Sequence, residues 1–153
     1  MAVVSRYTVA LHILTWMAQV AKKRKDSVTS NQIAASVNTN PVFIRRILTL
    51  LCKAKLVTVQ HGAGVGWSLA KPPEAITLLD VYEAVAQKPL FELHHSEPNQ
   101  ACPIGRGIRS ALREFYENAE QAMKQELSRS TISDLLAKTM ADPLNNDPTR
   151  RKN

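Results

Sequence analysis

Ser30-Asn31-Gln32-Ile33-Ala34-Ala35-Ser36-Val37-Asn38-Thr39-Asn40-Pro41-Val42-Phe43-Ile44-Arg45-Arg46-Ile47-Leu48 is the stretch that decides the fold. Its first eight residues predict a short helix with an apolar stripe of Ile33, Ala34 and Val37. Thr29 or Ser30 suits the N-cap, because its hydroxyl can accept a bond from an otherwise unpaired backbone N–H. Asn38-Thr39-Asn40 then reads as a turn: Asn tolerates left-handed backbone, and Pro41 lacks the N–H that a first helical position leaves unpaired anyway. The second helix is predicted from Pro41 to about Ala54, with Ile44, Ile47, Leu48 and Leu51 buried. Arg45, Arg46 and Thr49 fall away from that stripe and face solvent or a ligand.

Both flanks extend the pattern. On the C-terminal side, Leu56–Gln60 and Trp67–Ala70 read as strands joined by Gly62-Ala63-Gly64-Val65-Gly66. The glycines are not a phosphate loop, since no Lys-Ser/Thr follows them and they precede a strand rather than a helix. On the N-terminal side, Tyr7, Ala10, Leu11, Leu14, Met17 and Ala18 recur at helical spacing over Ser5–Val20. Helix, short helix, turn, helix and glycine-tipped hairpin make a winged helix-turn-helix.

Further along, Thr77-Leu78-Leu79-Asp80 has the spacing of a capping box and opens a helix to about Ala86, burying a subset of Leu79, Val81, Tyr82 and Val85. Residues 88–106 hold three prolines and Gly105 without a clear period, and read as a linker. A long amphipathic helix is predicted from Gly107 to Leu127, followed by a short last helix capped near Thr131. The predicted architecture is mainly α with a small β-hairpin wing. It divides into a winged helix-turn-helix domain at 1–87, the linker at 88–106, dimerisation helices at 107–141 and a disordered tail at 142–153. Ile108, Leu112, Phe115, Ala119 and Met123 form a seam on the long helix that needs a covering surface, either a second copy of the chain or its own winged helix.

Charge separates the same two halves. Residues 1–75 hold 10 Lys/Arg against 2 Asp/Glu, whereas residues 76–153 hold 10 against 11, and the whole chain of 153 residues carries +7. A basic first half suits a polyanion such as duplex DNA, or is simply a solvated basic face. For DNA, the helix from Pro41 is of a size to enter the major groove, where Arg45 and Arg46 reach bases or phosphates and Val42 meets a thymine methyl. Ser30, Asn31, Thr39 and Asn40 lie near helix starts that suit phosphate oxygens. His61, Gly62 and Gly64 form a tip narrow enough for the minor groove.

This order of motifs resembles the Rrf-type winged-helix transcription regulators, and within them the YwnA-like branch. The resemblance rests on Ser5-Arg6-Tyr7 opening a helix, on Gln32-Ile33-Ala34, and on Ile44-Arg45-Arg46-Ile47-Leu48 with Leu51. It continues through Gly62–Ala70, Ile76–Val81 and Cys102-Pro103-Ile104 before the long helix, and so covers residues 1–140. It implies a homodimer held by the long helix on a pseudo-palindromic operator, with Ser5, Arg6, Tyr7 and Pro41 joining the DNA-contacting set. Cluster-binding members of the family carry three closely spaced cysteines in the linker. Here that segment has Cys102 alone, so a cysteine-ligated iron–sulfur cluster is not expected. Relatives often place an arginine before the wing glycines, where this chain has Gln60-His61.

Other chemistry is thinly represented. Two cysteines make no disulfide framework. Cys52 reads as a small core residue, and Cys102 as either an inert thiol or a redox sensor beside Arg106 and a helix start. His94, His95 and Cys102 with Glu92 or Glu97 match no structural zinc spacing, so no metal is expected. No nucleophile–base pair or carboxylate dyad suggests an enzyme. An adaptor using the winged helix without DNA is the other reading. No run approaches the length of a membrane span and the N-terminus lacks the order of a signal peptide, so a cytoplasmic protein with no membrane partner is expected.

Overall fold

The computed structural model of the chain describes residues 3–150. In order these form α1 (Val3–Lys23), α2 (Ser30–Val37), α3 (Pro41–Lys53), β1 (Val57–Gln60), β2 (Gly66–Leu69), α4 (Leu78–Val85), α5 (Pro103–Leu127) and α6 (Ile132–Ala141), with 3-10 turns at Pro73–Ala75, Pro143–Asn145 and Pro148–Arg150.

Local chemistry sets the first boundaries. Thr29 caps α2 in a reciprocal box: its Oγ1 accepts from Gln32 N at 3.2 Å, and its own N–H donates to Gln32 Oε1 at 2.9 Å. Asn38 ends the helix in left-handed backbone at φ 60°. Asn40 starts α3 by accepting from Val42 N at 2.8 Å, with Pro41 in the first turn. β1 and β2 pair antiparallel from Val57 opposite Leu69 to Gln60 opposite Gly66. Val28 adds a one-residue third strand, donating to Trp67 O at 2.9 Å and accepting from Trp67 N at 2.7 Å. Gly66 permits that pairing, because a Cβ there would lie 2.7 Å from Val28 O.

The core gathers Ala10, Ile13, Leu14 and Met17 of α1, Ile33 of α2, Ile44, Ile47, Leu48 and Leu51 of α3, Val57, Ile76, and Val81 and Val85 of α4. Ile132 and Leu136 of α6 are buried in the same cluster, and α6 packs on α1. α6 thus completes the winged-helix core rather than standing apart with α5, which contributes no buried residue to it. Chain 76–78 runs antiparallel to 130–132, with Leu78 N donating to Ser130 O and Ile132 N to Ile76 O, both at 2.9 Å. Thr77 and Thr131, opposite one another, each close a capping box with Asp80 and Asp134.

Two other boundaries move. α5 begins at Pro103 rather than Gly107, and Gly105 in its first turn leaves room for the Asn99 carbonyl, which packs where a Cβ would stand. The linker is therefore shorter than 88–106, and Cys102 becomes the residue that precedes the helix. The predicted disordered tail carries two 3-10 turns up to Arg150, and Asn145 donates to Thr139 O; residues 151–153 lie outside the described ones.

Tyr7, half-buried on α1, packs against the core as its place in the apolar stripe predicts. Its hydroxyl donates to Leu78 O at 2.7 Å and its ring meets Tyr82 edge-on at 5.4 Å, so the half-buried phenol joins α1 to α4. Burial, and secondarily Tyr82, push its pKa from 10 up to about 12.

Two outcomes test this packing. Ile132→Ala should cost about 2–5 kcal/mol in urea unfolding, as for a core residue; a cost near zero would detach α6 from the core. Tyr7 is favoured neutral in the fold, so its contribution is complete below pH 10 and lost as pH rises toward 12. Tyr7→Phe should therefore lose about 1 kcal/mol near neutrality and show a shallower alkaline decline of stability than the wild type.

Candidate nucleic-acid interface

The face of α3 opposite its buried stripe carries Val42, Arg45, Arg46, Thr49 and Lys53, all exposed. Their spacings of three and four set them in one ridge along the helix. Val42 is 46% exposed, unusual for an aliphatic side chain with no neighbour to cover it. Thr49 donates to Arg45 O at 2.8 Å, which leaves its methyl on the ridge. Lys53 was missed in the sequence, although its place four residues after Thr49 and seven after Arg46 was the signal.

Two arginines are steered from below. Arg45 Nη1 donates to Ser30 Oγ at 3.3 Å, so the buried Ser30 hydroxyl orients an arginine and does not itself face outward. Arg46 lines a 320 Å3 cavity with Arg6, Phe43 and Gln87. Arg6 Nη1 donates to Gln87 Oε1 at 3.1 Å and lies 3.5 Å from Val85 O, which ties its guanidinium to the end of α4 while leaving it beside Arg46. Asn31 and Asn40 are exposed, and Thr39 and Pro41 half-buried, at the two helix starts. Ser5 is half-buried on α1.

The wing tip stands clear of the core. His61, Gly62, Ala63, Gly64 and Val65 are all exposed, and Gly62 and Gly64 take positive φ of 85° and 83°. Ser27 Oγ donates to Gly64 O at 2.7 Å, pinning the tip to the loop after α1. No sequence signal joins residues 27 and 64.

Charge is unbalanced on this half. Every ion pair among the described residues lies between Lys88 and Arg129: Lys88–Glu92, Lys124–Glu120 and Arg129–Glu126. Among the described residues the cations of α3 therefore have no acidic partner, which leaves their field open to an anion.

Away from this half, α5 has no buried residue over its 25 residues. Ile108, Leu112 and Met123 are half-buried, Ala119 is exposed, and Phe115 is 72% exposed beside Ile104 at 71%. Cys102 is a half-buried free thiol before α5, and Cys52 a free thiol half-buried on α3. Among the described residues no three His, Cys, Asp or Glu side chains gather to hold a metal. The linker offers one thiol, a donor set that does not fit a cysteine-ligated cluster. Among the described residues no helix is long and apolar enough to cross a membrane.

Comparison with known proteins agrees with this geometry. A family model described as an iron-dependent transcriptional regulator, Rrf2, matches residues 3–138. YwnA of Bacillus subtilis is 43% identical over 134 residues, covering 86% of this chain and 95% of its own. The HTH-type transcriptional regulator CymR of the same organism is 30% identical over 129 residues, covering 82% and 85%. The solved structure of CymR, the global cysteine regulator of B. subtilis, superposes with a TM-score of 0.58 at 27% identity, covering 86% of this chain and 95% of that one. A crystal structure from Lactobacillus plantarum, at 24% identity, shares the fold with a TM-score of 0.74 over 92% and 93% of the two chains. With the matched region reaching from α1 into α6, this chain belongs to the Rrf2 family of winged-helix transcriptional regulators.

Proposed function

We propose that this chain binds a two-fold operator in duplex DNA as a homodimer and represses transcription by occupying it. The observation that carries the reading is the exposed ridge of Val42, Arg45, Arg46, Thr49 and Lys53, cationic and without an acidic partner, on the second helix of a helix-turn-helix. In the major groove Arg45 reads a base edge, held by Ser30, while Arg46 and Arg6 sit close enough to share phosphates. Asn31, Thr39 and Asn40 add neutral phosphate contacts, and the wing lays His61 and its glycines along the neighbouring groove. Tyr7 supports the site by fixing α1 to α4.

The dimer reading is supported by α5. Phe115 and Ile104 lie exposed on a helix with no buried residue, and a second copy related by a two-fold axis would cover both at once. A cytoplasmic chromosome-bound regulator without catalytic activity fits all of these features.

Three measurements test the proposal. Operator affinity, found by selection from genomic fragments, should fall steeply on raising salt, with a log–log slope reflecting several phosphate contacts; a flat profile would favour a protein-binding adaptor. Arg45→Ala should cost about 1–3 kcal/mol on the operator and less on unrelated duplex, whereas Arg46→Ala should weaken both alike. Phe115→Glu should convert a dimer to a monomer in light scattering and lower operator affinity; an unchanged mass would remove α5 as the dimer contact.

A further inference from the structure

A second cavity, of about 560 Å3, lies between the linker and the inner face of α5, and none of its lining residues comes from α2, α3 or the wing. One wall is aromatic: Phe91 of the linker stacks on Tyr116 of α5, centroids 4.7 Å apart and planes 18° from parallel. The other is cationic, with Arg109 and Arg113 one helical turn apart on the same face. Arg109 Nε is buried without a hydrogen-bond acceptor among the described residues. A buried N–H in that condition marks a place where an acceptor belongs.

The acidic groups on the walls do not supply it. Glu92 pairs with Lys88 at 3.8 Å, and Glu120 with Lys124 at 3.6 Å. Lys88, Arg109 and Arg113 balance Glu92, Glu117 and Glu120 among the lining residues, but neither Arg109 nor Arg113 is in an ion pair among the described residues, so both guanidiniums lack a carboxylate partner. This surface is also separate from the outer stripe of α5 that carries Ile104 and Phe115, so an occupant would not compete with a partner covering that stripe.

We infer that this cavity binds a small organic monoanion, a single carboxylate or sulfonate on a planar apolar body. The anion accepts from the Nε and Nη donors of the two guanidiniums, whose planar fork matches such a group. The planar body lies along the Phe91–Tyr116 wall, where offset stacking is favourable. The volume falls in the range of about 300–1,000 Å3 that holds small-molecule ligands. Glu117 sets the charge limit, since a second negative group would meet its carboxylate. An occupant contacts the linker and the long helix together.

The test is a fluorescence titration of the full-length protein, with no DNA present, so its outcome is independent of the operator reading. The probe is 8-anilinonaphthalene-1-sulfonate, and its neutral counterpart is N-phenyl-1-naphthylamine. The sulfonate should bind saturably, and phenylacetate, but not phenylacetamide, should displace it. Arg109→Gln with Arg113→Gln should weaken the sulfonate about tenfold or more, the loss of a charge-assisted pair. Arg113→Gln alone changes an exposed side chain that the fold does not need, and should weaken it in the same direction with an unchanged circular dichroism spectrum. Arg113→Lys should retain part of the binding. Equal affinity for the neutral amine, displacement by phenylacetamide, undiminished binding in Arg113→Gln or absence of saturable binding would each overturn the inference.

Discussion

Two backbone hydrogen bonds, Leu78 N to Ser130 O and Ile132 N to Ile76 O, clasp the two ends of the linker–α5 excursion to one another. They bring two helix starts side by side, each closed by its own threonine–aspartate capping box. Because chain 130–132 returns to chain 76–78, Ile132 and Leu136 reach α1 and seal the core. The linker and α5 become an excursion fixed at both ends. That explains how a 25-residue helix with no buried residue stays attached to the winged helix and keeps an apolar stripe facing outward. Without the clasp, α6 would be one more amphipathic segment beside α5.

The electrostatic division follows the same line. Acidic and basic side chains pair with one another only along the excursion, between Lys88 and Arg129 among the described residues. Among the described residues the cations of the winged helix make no ion pair, and its internal hydrogen bonds aim them. Ser30 turns Arg45, while Gln87 and Val85 hold Arg6 beside Arg46. A surface that repels itself in this way is stabilised from beneath by an apolar core, and its positive field is what an approaching polyanion meets first.

The helix-turn-helix was legible because its punctuation is local. Thr29, Asn38, Asn40 and Pro41 act on their own backbone neighbours, so residue type and spacing alone place α2 and α3. The wing was legible from glycines between two short apolar runs. What the sequence withheld depends on distant neighbours. α6 has the same stripe whether it packs on α5 or on α1, and only the clasp decides. Pro103 and Gly105 read as linker residues, yet Pro103 starts α5 and Gly105 lies in its first turn with Asn99 packed against it. Tyr7 reads both as part of the stripe of α1 and as a DNA contact, and that its hydroxyl donates to Leu78 O needs the fold to show. Arg109, Phe91 and Tyr116 gave no signal at all, since their meeting needs the linker to fold back on α5. Of the interface, the ridge on α3 could be read in advance, but the bonds that orient its arginines could not.

The clasp also orders events in time. α1 is synthesised well before α6, but part of the surface it buries comes from Ile132 and Leu136 of α6. Closing so long a loop costs only logarithmically more than closing a short one, so the native state tolerates it. The rate does not share that tolerance: contacts between distant segments form slowly, and a growing chain makes its N-terminal part first. Until residue 136 is free of the ribosome, the apolar face of α1 has no complete cover. The nascent winged helix is thus an unfinished core, and its maturation waits on α6.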